Sequence, residues 1–550
     1  MSSSAPTRRT LERIARERFG WESLLPGQGE AIRSAAAGRD TLLVLATGGG
    51  KSAVYQVAGA ARGGIVLVIS PLIALQADQR ASIEAAPDAP DNVAINSSRG
   101  AAAVARAWER IDAGGSLYVL LAPEQLANED NVARLAAQDV ALLVVDEAHC
   151  VSSWGHDFRP DYLRLGDVRS ALGDPPVLAM TATASKPVRA DIIERLRMQD
   201  PDVQLHGVDR PEIRLAVQRH ESEDDKRAAI VDEARRWTAP GLVDVASRKE
   251  TESYAAELAA EGREVAAYHA GLKVAERRAV QDRWRDGELD VVVATSAFGM
   301  GIDRGDVRFV LHAATTESLD AYYQEVGRAG RAGEPATAVL HYRVEDLALR
   351  RFFAKRSVDK AGLRKLWRAI TRTPGASIRD LSEAVGQPAR TVSRLVNQLV
   401  DAELVETAGG VHPLRKTRVD AVVKAVKEAS AARERIAESR LAMMRAYAEG
   451  TQCRRRVLLD YFGVEGPDWC GNCDGCERRE DMSDAQADSV PADAPLAVDE
   501  SVEHREWGAG TVISVEEDRA TIFFETEGYK VVALAALDSK VLRQVADATA

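Results

Sequence analysis

The stretch Thr41-Leu42-Leu43-Val44-Leu45-Ala46-Thr47-Gly48-Gly49-Gly50-Lys51-Ser52 joins an apolar run to a glycine-rich turn that ends in lysine and serine. A short apolar run bounded by such a turn reads as a buried strand. The backbone N–H groups of the turn can cradle phosphates, because glycines let the chain approach an anion closely. Lys51 adds a point charge for the β- and γ-phosphates, and Ser52 a hydroxyl for Mg²⁺. Leu45 stands where the usual loop has its first glycine. A glycine-rich turn alone is often only a turn. Here the strand before it and the helical pattern after it supply the context a phosphate loop needs.

A second apolar run, Ala141-Leu142-Leu143-Val144-Val145, leads into Asp146-Glu147-Ala148-His149. Strands of open α/β sheets present their functional groups at their carboxyl ends. That places Asp146 to hold Mg²⁺, directly or through water, and Glu147 to orient and deprotonate an attacking water. Read together, the two stretches are the halves of an ATP-hydrolysing site.

The rest of the chain bounds this reading. With 550 residues, of which 45% are hydrophobic, the chain is long enough for several domains with sizeable cores. No apolar run approaches the roughly 18 residues of a membrane span. The polar, basic start from Met1 to Arg9 has no apolar signal region. Five cysteines argue against a disulfide scaffold and fit a reducing compartment. The expected location is therefore cytoplasmic, with no membrane partner. A net charge of −12 argues against uniform coating of nucleic acid but leaves room for a local basic groove.

Apolar strand-like runs alternate with helical patterns from about Leu11 to His206, and the alternation restarts at Gly241 and ends near Tyr342. Such alternation predicts two tandem α/β domains, each a parallel sheet covered by helices. An ATP site in a cleft between two such domains would let nucleotide drive closure. Ser377 to Val385, a Gly386-Gln387-Pro388 turn and Ala389 to Ala402 read as helix–turn–helix, with a small wing around Gly409-Gly410. A helix follows over Arg418 to Tyr447. The polar stretch after Cys476, to about Pro495, reads as a flexible linker. Short strands near Gly510, Ala520 and Lys530 suggest a small β-barrel. The expected divisions are 1–207 and 208–343 for the α/β domains, 344–416 for a winged-helix-like domain and 417–477 for a helical module. The linker then covers 478–496 and the barrel 497–550.

Four cysteines test the scheme independently. Cys453 is followed by Cys470, Cys473 and Cys476 in Cys-Gly-Asn-Cys-Asp-Gly-Cys. Two tight spacings and a distant fourth thiol match a closed tetrahedral zinc site better than a redox pair. Cys150 reads as a packed small residue.

After the Asp-Glu pair comes Cys150-Val151-Ser152-Ser153-Trp154-Gly155-His156-Asp157-Phe158-Arg159-Pro160, whose aromatics suit stacking on unpaired bases. Taken alone, a loop folding its aromatics into a core would be the better reading. Several motifs decide otherwise: Phe19-Gly20, Pro26-Gly27-Gln28, Thr47 to Ser52, Asp146 to Pro160, Thr181-Ala182-Thr183-Ala184, Ala297-Phe298-Gly299-Met300-Gly301-Ile302-Asp303, and Tyr322-Tyr323-Gln324-Glu325-Val326-Gly327-Arg328-Ala329-Gly330-Arg331. In order and spacing they resemble RecQ-family DNA helicases over roughly residues 11–350. The Cys453-Arg454-Arg455 to Tyr461-Phe462-Gly463 stretch is similar to the zinc module of that family.

The resemblance implies two RecA-like domains and ATP-dependent 3′→5′ unwinding of DNA in repair and recombination, near the nucleoid, with ATP, Mg²⁺ and Zn²⁺ as cofactors. It gives Gln28 an adenine-reading role. Thr47, Gly48, Gly49, Gly50, Lys51, Ser52 and Asp303 fall to nucleotide, and Ser52 and Asp146 to magnesium. Lys51, Asp146, Glu147, Gln324, Arg328 and Arg331 become catalytic, the two arginines as fingers. Ser70, Trp154, His156, Phe158 and Arg159 become contacts to single-stranded DNA, which with forked or duplex DNA is the expected partner. Leu24-Leu25 replaces the usual Phe-Arg before Pro26-Gly27-Gln28, so one nucleotide contact is missing.

The order of the carboxyl-terminal half departs from the family, which places its winged helix after the zinc module. Arg390, Arg394 and Asn397 on the presumed recognition helix face two readings, contact with phosphates or a duplex junction and a solvated polar face. The final segment, from His504 to Lys530, resembles the Tudor-like barrel of UvrD/PcrA-type helicases, which implies a tethered docking module for RNA polymerase or another protein. A barrel that binds only its parent chain is the alternative. Two other functions compete with unwinding: a translocase that remodels protein–DNA complexes, and a DNA-binding adaptor that uses ATP only as a switch.

Overall fold

The computed structural model describes residues 6–545 except 97–98, 153, 155–158, 239, 299–303, 332, 355–357, 408–409, 483–495, 499, 516–518, 526 and 538–540. His156, Phe158, Asp303 and most of the expected linker therefore lie outside the described residues. The chain forms two compact units. One comprises Met1–Leu45, Gly49–His206 and Lys355–Glu434; the other comprises Ala46–Gly48, Gly207–Ala354 and Arg435–Ala550.

The first unit is built on seven parallel strands: β1 (Thr41–Leu45), β2 (Ile65–Ile69), β3 (Asn92–Ile95), β4 (Leu117–Leu121), β5 (Val140–Val145), β6 (Val177–Thr181) and β7 (Asp202–His206). Their order is β3-β4-β2-β5-β6-β1-β7. Every residue of β1, β2, β4 and β6 is buried. That is why these strands read as continuous apolar runs: helices cover both faces of the sheet. At the amino edge, the buried Arg169 and Asp40 pair at 2.9 Å, and Asp40 also accepts from the backbone of Val177 and Gln199.

The same unit carries the winged helix, with helices Lys360–Arg372, Ile378–Val385 and Ala389–Asp401 and a two-stranded wing, Val405–Glu406 with His412–Pro413. Ser377 and Asp380 form a capping box and Gly386 closes that helix in the left-handed conformation, so the turn is local chemistry. The core of this domain runs past residue 416, because Val422, Val423 and Val426 of the long helix Val419–Glu449 pack into it. Arg164 and Glu406 join the wing to the body of the unit at 2.6 Å.

The second unit has a six-stranded parallel sheet: β8 (Ile213–Arg219), β9 (Gly241–Asp244), β10 (Val265–Tyr268), β11 (Val291–Ala294), β12 (Phe309–His312) and β13 (Ala336–Tyr342), ordered β10-β11-β9-β12-β13-β8. An exposed edge at β8 would offer unpaired backbone groups. Here the cysteine loop covers it: Leu215 N–H donates to Asn472 O at 3.4 Å, and Arg455 donates to the carbonyls of Arg210 and Ile213 at 2.9 Å. Arg214 and Glu477 add a bidentate pair at 2.7 and 2.6 Å.

The carboxyl-terminal segment folds into the small all-β unit expected of it, around a core of Val502, Val512, Ile522, Phe524, Val532 and Leu542. It is a five-stranded antiparallel sheet in the spatial order Gly528–Ala533, Arg519–Phe524, Gly508–Val515, Ser501–His504, Leu542–Gln544. Val532 and Leu542, one from each outer strand, meet in that core. The sheet packs on the helical part of its own unit. Tyr529 stacks obliquely on Tyr461 of helix Arg454–Phe462, with ring centroids 5.4 Å apart, and Glu527 pairs with Arg435 at 3.4 Å.

Candidate nucleotide site and zinc centre

β1 of the first unit ends at Leu45 and helix Lys51–Arg62 begins six residues beyond it, after a turn in which Gly48 and Gly50 take positive φ. Gly50 has no room for a side chain, since a Cβ there would lie 2.4 Å from Gln28 Nε2. Gln28 is buried and holds the turn from below. Its Nε2 donates to the carbonyls of Gly49 and Gly50, both at 3.0 Å, and its Oε1 accepts from Leu25 N–H at 2.8 Å. The amide assigned to adenine reading is thus committed to shaping the phosphate loop. Lys51 Nζ donates to Leu45 O at 3.3 Å, which folds the ammonium over the mouth of the turn.

Two strands away on the same carboxyl edge, β5 delivers Asp146 and Glu147. Asp146 Oδ2 accepts from Gln79 Nε2 at 2.7 Å and Oδ1 from Glu147 N–H at 3.0 Å. Burial, and then the neighbouring Glu147, push the Asp146 carboxyl up to about 6, with Lys51 pulling it down. Glu147 adopts φ 48° and ψ 48°, a left-handed conformation that costs a non-glycine residue energy. The strain turns its carboxylate out of strand register toward His149, whose Nδ1 lies 3.3 Å from Glu147 Oε2 and 2.9 Å from Thr181 Oγ1. Thr181 spends its one hydroxyl proton on Thr183 O at 3.0 Å, so His149 Nδ1 is the donor to it. This chain links the Asp-Glu strand end to the Thr181–Ala184 segment, which sequence patterning had marked only by resemblance.

The donors suit the cofactors. Ser52 and Asp146 offer the hard oxygens that Mg²⁺ prefers, and the glycine cradle fits a phosphate. Among the DNA contacts expected of this unit, Arg159 Nη1 donates to Pro71 O at 2.9 Å, and Trp154 N–H donates to Ser152 Oγ at 3.0 Å. Ser70 is fully buried. Arg390 and Arg394 are exposed on helix Ala389–Asp401 of the winged helix. Gln79 escaped the sequence reading because a glutamine inside a helix carries no motif.

In the second unit, Gln324 and Glu325 lie on helix Leu319–Val326, with Arg328 just beyond it. Arg328 is buried, donates through Nη1 to Phe298 O, and keeps a buried Nε without a hydrogen-bond partner. Arg331 is partly buried.

The four cysteines converge as their spacing predicts. Sulfur separations of 3.5, 3.9 and 4.0 Å join Cys473–Cys476, Cys470–Cys476 and Cys453–Cys473. A tetrahedron of thiolates about 2.3 Å from zinc has edges of about 3.8 Å. The Cys453 thiol, and after it the backbone N–H groups of Cys476 and Arg454, both 3.4 Å from Cys473 Sγ, hold the Cys473 thiol below the ordinary range against the effect of burial. A zinc ion fits this set. Arg454, buried beside it, makes a two-pronged pair with Asp474 at 2.8 and 3.0 Å.

Comparison with known families agrees with this geometry. Residues 25–191 match the DEAD/DEAH box helicase family, and residues 225–333 the helicase conserved C-terminal domain. Residues 415–477 match the RecQ zinc-binding family, which covers all four cysteines. The chain belongs to the RecQ family. It is 32% identical to the ATP-dependent DNA helicase RecQ of Haemophilus influenzae over 473 residues, covering 85% of this chain and 64% of that protein. A probable ATP-dependent DNA helicase RecS of Bacillus subtilis is 38% identical over 60% of this chain and 66% of its own length. The Bacillus subtilis RecQ is 38% identical over 63% of this chain and 59% of its own. The chain thus spans about three fifths to two thirds of these relatives. Within this RecQ chain, residues 363–406 match a winged helix-turn-helix DNA-binding family and precede the zinc-binding match. Residues 500–540 match a family of unknown function. No helix among the described residues is long and apolar enough to cross a membrane.

Proposed function

We infer that this RecQ-family chain is an ATP-dependent DNA helicase that couples hydrolysis to 3′→5′ movement on single-stranded DNA and to duplex unwinding. The observation that carries the reading is the carboxyl edge of the first sheet. A phosphate loop held by Gln28 and a strained Glu147 beside Asp146 share that edge, and His149 ties Glu147 to Thr181. Lys51 and the loop bind the phosphates, Ser52 and Asp146 hold Mg²⁺, and Glu147 takes a proton from the attacking water. Bound Mg²⁺ supplies charge neutralisation at the β- and γ-phosphates. Arg328 and Arg331 act as fingers on the transferring phosphoryl group, an effect worth about 10³–10⁵ in rate. Trp154 and Arg159, with His156 and Phe158, contact the single strand. The exposed Arg390 and Arg394 support a duplex contact by the winged helix. The packing of the terminal sheet on Tyr461 supports an intramolecular role for it over docking of RNA polymerase.

The test is steady-state ATP turnover and fork unwinding by the whole chain. Lys51→Ala loses DNA-stimulated turnover while keeping DNA binding; normal turnover by that variant overturns the site. Trp154→Ala keeps basal hydrolysis and loses stimulation by single strands, and unchanged stimulation removes the loop from the mechanism.

A further inference from the structure

The carboxyl edge of the second sheet holds a cluster that the proposed reaction does not use in full. Asp244 ends β9 and His312 ends β12. The two strands are paired in parallel with Asp244 opposite His312. Both side chains therefore leave the sheet on the same face. Glu325, on helix Leu319–Val326, closes the group, and one ligand atom from each residue lies within 4.8 Å of the others. His312 Nε2 is 3.0 Å from Glu325 Oε2 and 3.9 Å from Asp244 Oδ2. All three residues are buried, Asp244 to more than nine-tenths, and Asp244 Oδ2 has no hydrogen-bond partner.

A buried carboxylate oxygen without a donor is costly and calls for a cation. Neither neighbouring guanidinium hydrogen-bonds Asp244 Oδ2: Arg328 donates to Phe298 O, and Arg350 to Thr315 O at 2.5 Å. A small polar cavity lined by Asp244, Thr295, Ser296, Glu317, Glu325 and Arg350 adjoins the cluster and gives room for water on a bound ion. One imidazole nitrogen and two carboxylate oxygens form a donor set that zinc accepts with a water in the fourth position. At bond lengths of about 2.0–2.2 Å, tetrahedral ligand atoms stand about 3.4 Å apart. The observed 3.0 and 3.9 Å bracket that value.

We propose that Asp244, His312 and Glu325 form a second divalent-metal site, separate from the four cysteines, that takes Zn²⁺ through His312 Nε2 and one oxygen of each carboxylate. Glu325 stands next to Gln324 and three residues before Arg328, so an ion there fixes the segment that carries both.

The experiment counts metal on the full chain. Protein whose cysteine site is filled is equilibrated with excess Zn²⁺, freed of loose ion by gel filtration, and analysed for zinc, with Mn²⁺ run in parallel. The expected result is one zinc beyond the cysteine-bound ion, absent from Asp244→Asn and from Glu325→Gln, and a melting temperature that rises with added Zn²⁺ only in the unmutated chain. Retention of the cysteine-bound zinc by both variants certifies that they are folded. A chain that takes up no zinc beyond the cysteine-bound ion overturns the proposal. So does an extra zinc that survives in either variant, since that ion sits elsewhere. Uptake of Mn²⁺ but not Zn²⁺ keeps the site and overturns its assignment to zinc.

Discussion

The two parallel sheets end in the same kind of group and treat it differently. At the edge of the first, Asp146 receives two donors, from Gln79 and from the Glu147 backbone, and His149 gives its Nδ1 proton to Thr181. At the edge of the second, Asp244 Oδ2 and His312 Nδ1 are buried without partners. Burial raises both aspartates to about 6. Similar desolvation thus has unequal support: one carboxylate has a donor on each oxygen, and the other keeps an oxygen without one. The first arrangement suits a group that must stay oriented through turnover, and the second a group that waits for an ion.

The largest effect should come from removing the proposed base at the first edge. Glu147→Gln keeps the shape and the strained turn but loses proton abstraction. Single-turnover hydrolysis should fall by about 10²–10⁴, with nucleotide binding retained; a fall of less than tenfold would make the two edges chemically equivalent. Next in size, Gln79→Leu makes Asp146 resemble Asp244 by removing its side-chain donor. Chemical denaturation should show a loss of about 1.5–3 kcal/mol, the range for a hydrogen bond to a charged group. An unchanged midpoint would mean that the second edge pays no penalty either.

The smallest effect is on pH dependence. In the second sheet His341 is buried, with its Nε2 lacking a partner and its Nδ1 3.0 Å from His220 Nε2. Burial lowers it from 6.5 to about 3. Between those values the unfolded chain binds the proton and the folded chain does not, so stability falls as pH drops from 6.5 toward 3 and is fully present above 6.5. His341→Asn should flatten that slope in melting experiments across pH 4–7. If the slope is unchanged, the acid sensitivity belongs to other groups.

What could be read from the chain before its structure follows from distance along it. The phosphate loop, the Asp-Glu strand end and the cysteine spacing are local patterns, and each appears where its spacing places it. Gln28 was singled out through the resemblance, but its bonds to the carbonyls of Gly49 and Gly50 were not legible, because a motif names a residue and not its partner. The winged helix was legible up to its wing. Its core borrows Val422 and Val426 from a helix whose pattern runs on without a break, so no boundary signal marks them. The terminal strands were legible as a group. Their docking on Tyr461 was not, since one tyrosine pair among many carries no sequence signature.

The sequence by itself determined the alternating α/β plan, the nucleotide loop, the acidic strand end and the zinc ligands, because backbone sterics and ligand spacing act over a few residues. Only the tertiary structure decided what Gln79 and Thr181 support, and that Asp244, His312 and Glu325 meet. Parallel strands paired in register bring residues far apart in the chain to one edge. The register follows from how the two apolar faces pack, which no single stretch of sequence contains.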